Sequence, residues 1–530
     1  MPTLDNASRW DYRSRTMRAP IIIVGAGFGG LAAALSMRAA GEDVIVLERA
    51  HAPGGKARTV EIGERPIDVG PTVLTMRWVF DELLAKVGRT LDEEVRLVPA
   101  EIVARHAFAD GGRLDLFADE RRSADAIGQL AGPREAAAYL RFAQHCKSIA
   151  DTVRTPFLEA DRPSIASLAT SRAGLSSLTK IDAHRSMWRA LRSFFSDPRL
   201  LMMFGRYATY VGSSPFEAPA TLNLIAHVER EGVSMVEGGI SNLARAIAGV
   251  AEDLGVVFHY GCQVTDVLVE GGRAAGVVID EEGRREAVRG RAVVVNADVA
   301  TLASGALGRS AALAVPRPAF ERRSLSAVTW AVDATVSGFP LVRHTVFFPA
   351  DYEAEHDALF RGSRIPDDPT AYVCAQDRGA SVTPGAVREG ESERLFVIVN
   401  APAAADRRPP TPEEIERCER AMWQRLESAG LSVTPRAMSV ATPTTFERLA
   451  PGTGGAIYGE ACHGPFAPLS RPSSRTKLPG LYLTGGSVHP GPGVPMAALS
   501  GKIAARAVVA DLASMRPSRV RVTAGSTWTG

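Results

Sequence analysis

Three glycines, Gly25, Gly27 and Gly30, stand directly after the β-branched run Ile21–Val24 and directly before an alanine-rich stretch. Spaced G-x-G-x-x-G at a strand-to-helix turn, they are what a backbone needs to press against a diphosphate. Gly25 permits the tight turn, Gly27 the close approach and Gly30 the helix–strand contact. Ala26 and Gly29 keep the same loop clear of large side chains. The helix that follows would aim unpaired N–H groups at an anion. Glu48 ends the next apolar run, VIVLE, where its carboxylate can hydrogen-bond ribose hydroxyls, and Arg49 follows it. With strand, turn, helix and acid all in register, the set reads as a dinucleotide site rather than a bare glycine-rich turn.

Two further stretches extend that chemistry. Gly54 and Gly55, followed by Lys56, Ala57 and Arg58, give an extended backbone with cations that could lie along a diphosphate and a flavin. Gly70, Pro71 and Thr72 sit in DVGPT a short distance on. At the far end of the chain, GLYLTGGSVHPGPGVPMAALSGKIAA repeats the opening layout of strand, loop and small-residue helix. Gly485, Gly486, Val494, Pro495 and Met496 belong to it. By composition alone such a loop also reads as a surface turn. Between the two ends, Val264 in QVTDVLVEGG and Asn296 in VVVNADV lie on or beside apolar runs that also read as plain core.

The elements that must position these residues form an ordinary globular pattern. The chain has 530 residues, 45% hydrophobic and 23% charged, which predicts more than one domain. A net charge of +2 gives no signal for nucleic acid. Five cysteines without a CxxC pair support neither a metal centre nor a disulfide framework. The apolar run Ile21–Met37 is too glycine-rich for a membrane span or a signal segment, and no other run is long enough. The expectation is a cytoplasmic protein with peripheral membrane contact at most.

Residues 1–19 read as a loose leader, MRWVFDELLAKVG as a helix, 95–117 as sheet and 120–225 as mostly helical. A helix should start after Gly239, sheet should fill much of 325–400, and 411–430 should be helical. The polar stretch 351–372 reads as a loop, either a lid or plain surface. The stretch His184–Gly212 mixes arginines with aromatics and methionines. It fits either a membrane-docking surface or ordinary core (Phe194, Leu201, Met202, Phe204) with solvated arginines.

Residues 21–59 resemble the two-glycine pattern of FAD-dependent amine oxidases, phytoene desaturases and Rab escort-type proteins. DVGPTVLTMRWVFDELL, FGRYATYVGSSPFEAPATLNLIAHVE, VEGGISNLARAIA and LYLTGGSVHPGPGVPMAALSGKIAA extend the resemblance to bacterial carotenoid desaturases, from residue 21 to about 510. PTVLTMRWVF and FGRYATYVG are most similar to the 1-hydroxycarotenoid 3,4-desaturases, the hydroxyneurosporene desaturases. The resemblance implies an α/β fold with a Rossmann-like FAD-binding domain from 20–95, 235–300 and 475–515. An α+β substrate-binding, membrane-associating domain (96–234 and 301–474) would be inserted into it, helical at about 120–225. It implies that both chain ends build one FAD site. The Gly485–Gly486 loop would close over the flavin, the helix after Pro495 would point at its pyrimidine side, and Val264 would lie against the adenine.

The implied reaction removes two hydrogens from C3–C4 of an acyclic 1-hydroxycarotenoid, for example 1-hydroxyneurosporene to demethylspheroidene, as in photosynthetic bacteria. Electrons would pass to oxygen or a membrane quinone, at the cytoplasmic side of the inner membrane. A phytoene-type desaturase or a carotenoid isomerase on the same scaffold is the alternative. Amine oxidation lacks its paired aromatics in the closing loop, and complete glycine motifs speak against a non-catalytic lipid escort. For a proton acceptor the chain offers His489, Glu237 and, close to His227, Glu229. Structural roles compete: His489 bonding the loop backbone, Glu237 capping the following helix.

Overall fold

The computed structural model describes residues 19–164, 180–281, 283–318, 320–379 and 390–515. The leader 1–18 and part of the expected helical stretch lie outside the described residues.

A five-stranded parallel sheet carries the opening motif, in the order Leu481–Leu483, Ala292–Val295, Ile21–Val24, Val44–Glu48, Val257–Tyr260. Its strands are drawn from both ends and the middle of the chain, and each inner strand is almost wholly apolar because both faces are covered. Ile21, Ile23, Val44, Val46 and Val294 face helices Phe28–Ala39, Ile240–Asp253 and Val494–Ser514. Their alternates Ile22, Val24, Ile45, Leu47 and Val293 face a three-stranded antiparallel sheet, Gln263–Glu270, Arg273–Glu281 and Arg284–Arg289. The period-2 alternation of a strand thus feeds two cores.

A seven-stranded sheet forms the second region, in the order Leu431–Ala441, Ser326–Gly338, Ser392–Ala401, Ala371–Ala375, His344–Phe347, Ile102–Ala107, Arg113–Phe117. Helix Pro412–Ser428, begun by a Thr411/Glu414 capping box, packs its Cys418, Met422 and Leu426 on one face. On the other face, Val346 and Phe348 meet helices Glu120–Ala131, Pro133–Val153, Met187–Leu191 and Pro198–Gly205. Strand Leu97–Pro99 pairs with Ser234–Val236 between the two regions. Arg65, in hairpin strand Arg65–Asp68, reaches Asp333 and Asp377 at 2.9 Å each and ties the glycine-rich region to the large sheet.

Two expectations are corrected. The stretch 351–372 is not a plain loop: Tyr352–Phe360 is a helix capped by Asp351. Its polar composition hid this because the buried Glu355 carboxylate is matched by Thr370, whose N–H and hydroxyl donate at 3.0 and 2.6 Å. In His184–Gly212, Leu201 and Phe204 are core, but Arg206 does not join a solvated face and lies against Tyr210 and Tyr372. All five cysteines are buried, and none forms a disulfide. Among the described residues no helix is long and apolar enough to cross a membrane, and no three potential ligands gather to hold a metal.

Candidate cofactor cradle and substrate cleft

The glycine loop after strand Ile21–Val24 is walled by backbone and by one amide side chain. A Cβ on Gly30 would lie 2.0 Å from the Gly25 carbonyl oxygen. One on Gly29 would lie 2.7 Å from Asn296 Oδ1, 2.8 Å from Thr484 Oγ1 and 2.9 Å from the Gly485 nitrogen. The opening and closing loops are therefore in contact, with Asn296 between them; its Nδ2 also donates to the Gly25 carbonyl at 3.3 Å. The closing helix seals the arrangement, since Gly501 packs where a Cβ would meet the Gly29 carbonyl at 2.2 Å. From the other side, Gly54 donates to the Ala26 carbonyl at 2.9 Å, which brings the second glycine pair alongside the first loop.

Helix Phe28–Ala39 has no side-chain cap and no acid in its first turn, and its first intrahelical bond runs from Leu31 to Gly27. Helix Val494–Ser514 likewise starts without a side-chain cap, with Pro495 in its first turn and Met496 partly buried beside it. Both starts leave N–H groups for an anionic ligand. Glu48 is buried and accepts from Ala26 at 2.6 Å and Ala50 at 2.8 Å. Cys262 donates to the Glu48 carbonyl, so the strand carrying Val264 begins beside that acid. Arg49 and Lys56 reach across to the carbonyls of Leu449 and Ile457. Ala57 is buried, and Arg58 accepts from Val69 through its carbonyl. Gly70 packs on Lys56 and Ala57. A cleft of about 120 Å³ opens beside the closing loop, lined by Asp298, Thr453, Gly459, Glu460 and Ser487 among others. Near Gly486, Arg471 donates to the carbonyls of Tyr458, Glu460 and Gly486.

A second, smaller hollow lies where the glycine-rich region meets the large sheet, lined by Asp68, Pro71, Thr72, Cys374 and Gln376 among others. Gln376 fixes this junction by two bonds to the Asp68 backbone. Behind it, Thr72 Oγ1 lies 2.6 Å from the Tyr372 hydroxyl, which lies 2.8 Å from His344 Nδ1. Arg206 donates to the Tyr210 hydroxyl at 3.1 Å, and Tyr210 and Tyr207 donate to Glu229 at 2.7 and 2.6 Å.

The three acid–base candidates are dispersed. His489 is buried, Nε2 2.9 Å from the Phe157 carbonyl and its ring edge-on to Phe157; burial lowers its pKa to about 4. Glu237 is half-exposed, 3.7 Å from Arg96. It does not cap the following helix, whose N-cap is Gly239 with no side-chain bond; only its carbonyl contributes, accepting from Asn242. Glu229 is buried under two tyrosine hydroxyls, and burial pushes its pKa up. Neither His489 nor Glu237 lines either cleft. Sequence reasoning passed over Tyr372, His344, Arg206 and Asp298. Only Asp298 had a local signal, two residues past Asn296 at the end of the same strand.

The sequence pattern described as flavin containing amine oxidoreductase matches residues 28–509. The hydroxyneurosporene desaturase of Rubrivivax gelatinosus is 46% identical over 95% of this chain and 96% of its own length. That of Cereibacter sphaeroides is 42% identical over 93% and 98%. Among solved structures, an oxidoreductase from Methanosarcina mazei superposes with a TM-score of 0.56 at 17% identity, over 93% of this chain and all of its own, and so shares the fold.

Proposed function

The chain belongs to the flavin containing amine oxidoreductase family, and from that premise we propose that it is a carotenoid desaturase using FAD. Its substrate is an acyclic 1-hydroxycarotenoid, desaturated at C3–C4. The observation that carries this reading is the near-full-length identity, 46% and 42%, to two hydroxyneurosporene desaturases.

The residues present fit the cofactor: a loop whose glycines admit no Cβ and so keep bare backbone at the turn, an uncapped helix start behind it, and a buried carboxylate one strand away. Gly25–Gly30 and the start of Phe28–Ala39 would hold the diphosphate, Glu48 the ribose hydroxyls, and Val264 the adenine. Gly54–Arg58, Gly70–Thr72 and the loop from Gly485 to Met496 would enclose the flavin. When bound, FAD supplies a two-electron acceptor for a hydride.

The remaining work falls to the chain itself. Between the large sheet and the helices, Phe142, Phe204, Val346 and Phe348 pack into one buried apolar core, and an apolar polyene would lie against it, away from water. Alignment of the C3–C4 bond is the main requirement, because the allylic position already delocalises positive charge in the transition state. The buried, low-pKa His489 ring suits a neutral packing role in the closing loop. In this reading the proton passes to water, and neither His489 nor Glu237 is required as its acceptor. Oxygen or a membrane quinone takes the electrons, and the apolar substrate places the protein peripherally at the cytoplasmic face of the inner membrane.

The test is anaerobic. Protein with FAD is mixed with 1-hydroxyneurosporene in liposomes, and the flavin and carotenoid bands are followed together. Flavin bleaching with a red-shifted polyene is expected. A changed polyene geometry with no new double bond, or bleaching only with phytoene, would replace this reading by isomerase or phytoene-type chemistry.

A further inference from the structure

Strand Ala371–Ala375 places Tyr372 and Cys374 on the face turned to the helices, since Val373 and Ala375 belong to the opposite core. On the neighbouring strand, Val346 stands opposite Tyr372, and His344 opposite Cys374. His344 therefore shares that face, and Cys374 lines the small cleft together with Thr72. His344 is 3% exposed, and its Nε2 has no hydrogen-bond partner although Nδ1 is bonded to Tyr372. A buried orphan nitrogen is costly unless something completes it. Arg206 covers the same place, its guanidinium carbon 5.3 Å from the Tyr372 ring centre and 5.1 Å from that of Tyr210.

Deepening the reading above and resting on it, we propose that His344 and Tyr372 form an alcohol-binding subsite for the tertiary hydroxyl of the carotenoid, and that this subsite selects hydroxylated over hydrocarbon chains. The chain Thr72–Tyr372–His344 can donate in either sense. If Tyr372 donates to Thr72, His344 carries its proton on Nδ1 and Nε2 accepts. If Thr72 donates to Tyr372, Nε2 carries the proton and donates. An alcohol satisfies both senses and a hydrocarbon neither. Burial and the charges of Arg343 and Arg206 keep the ring neutral, with a pKa of about 3, so it stays an alcohol partner throughout the working pH range. The same two cations disfavour an ammonium ligand. One methylene separates the hydroxyl-bearing carbon from C3, so gripping the hydroxyl also sets where the reacting bond lies. The subsite is bonded directly to Thr72, in the loop assigned above to the flavin.

The experiment compares 1-hydroxyneurosporene with neurosporene, using the flavin-loaded full chain in liposomes. The wild type, Tyr372→Phe, His344→Leu and His344→Gln are each checked for flavin content and thermal melting. Alongside turnover, quenching of tryptophan emission measures equilibrium binding of the hydroxylated product and of its deoxy counterpart, which undergo no reaction. The wild type is expected to prefer the hydroxylated chain by on the order of 100-fold in kcat/KM. Tyr372→Phe and His344→Leu should reduce that preference at least tenfold, through the hydroxylated substrate alone. His344→Gln, which keeps a donor and an acceptor, should retain most of it. Binding of the hydroxylated product should weaken in step and that of the deoxy product should not. A discriminating wild type whose preference survives both substitutions would overturn the subsite while leaving the proposed function standing. Equal losses for both chains would overturn it as well, since that is the mark of a structural network. A wild type indifferent to the hydroxyl would instead sink the hydroxycarotenoid assignment itself. Should Tyr372→Phe fail to fold, the His344 pair decides.

Discussion

The cofactor cradle and the proposed alcohol subsite would solve recognition with opposite materials. At the cradle much of the wall is backbone: Gly29 and Gly30 sit where no Cβ fits, and the side chains of Asn296 and Thr484 press on Gly29 where the opening and closing loops meet. At the proposed alcohol subsite the groups are side chains on the large sheet, Tyr372 and His344, with Arg206 laid over the Tyr372 ring. A backbone site tolerates little substitution and is confined to short, recognisable spacings. A side-chain site can be retuned by single residues without disturbing the sheet that presents it. The difference explains how one scaffold could keep its cofactor and change its substrate.

The hardest way to break the cradle is Gly29→Val. Overpacking against Asn296 and Gly485 costs roughly 3 kcal/mol, which should lower flavin affinity by about 100-fold; flavin absorbance per protein after gel filtration reads it. Glu48→Gln should weaken flavin binding roughly tenfold, since each carboxylate oxygen accepts one backbone N–H and an amide can keep only one of those two bonds. Arg206→Met should leave flavin content unchanged and reduce kcat/KM on the hydroxylated substrate several-fold. The lost ring contacts and Tyr210 bond are worth about 1–2 kcal/mol. Flavin loss in that variant would dissolve the separation between the two regions.

Acid should act on the fold through its buried histidines. His106, His344 and His356 have pKa values of about 3, and His489 of about 4, against 6.5 when unfolded, all through burial. Between pH 6.5 and 4.5 the unfolded chain takes up these protons first, so stability falls as pH falls. The slope is up to about 1.4 kcal/mol per pH unit for each histidine. Glu355, with a pKa of about 7 against 4.5, holds its proton in the fold and opposes one of them over the same window. Urea midpoints at several pH values should show the net decline, and His344→Phe should flatten it. The smallest effect is expected from Glu237→Gln: an exposed carboxylate beside Arg96 contributes little, so turnover should change less than threefold. A tenfold loss would restore it as a candidate base.

What could be read from the chain follows the same division. The parallel strands showed as unbroken apolar runs, because both faces of the sheet are buried. The start of helix Ile240–Asp253 was legible from Gly239 and a clean apolar stripe. The helix Tyr352–Phe360 was not, because its buried face includes Glu355 and His356, which read as surface. Arg206 failed for a like reason: an arginine among aromatics suggests solvent or membrane until the partner rings, one of them on a strand far along the chain, are known. Nothing local links Thr72, Tyr372 and His344. Their association is a product of topology, set when the Thr72 loop docks on the seven-stranded sheet.

The packing of Gly501 on Gly29 makes the cradle a device of delayed closure. On a ribosome the opening loop emerges long before its lid. At about 5–20 residues per second, the interval between Gly30 and Gly485 is roughly 20–90 s. Throughout that time the nascent chain offers an incomplete glycine loop and the unpaired edge of strand Ala292–Val295, whose partner Leu481–Leu483 is not yet made. A truncated product could hold neither the last strand nor the cofactor. Flavin colour would therefore report completion of the chain, a quality signal written into the order of synthesis.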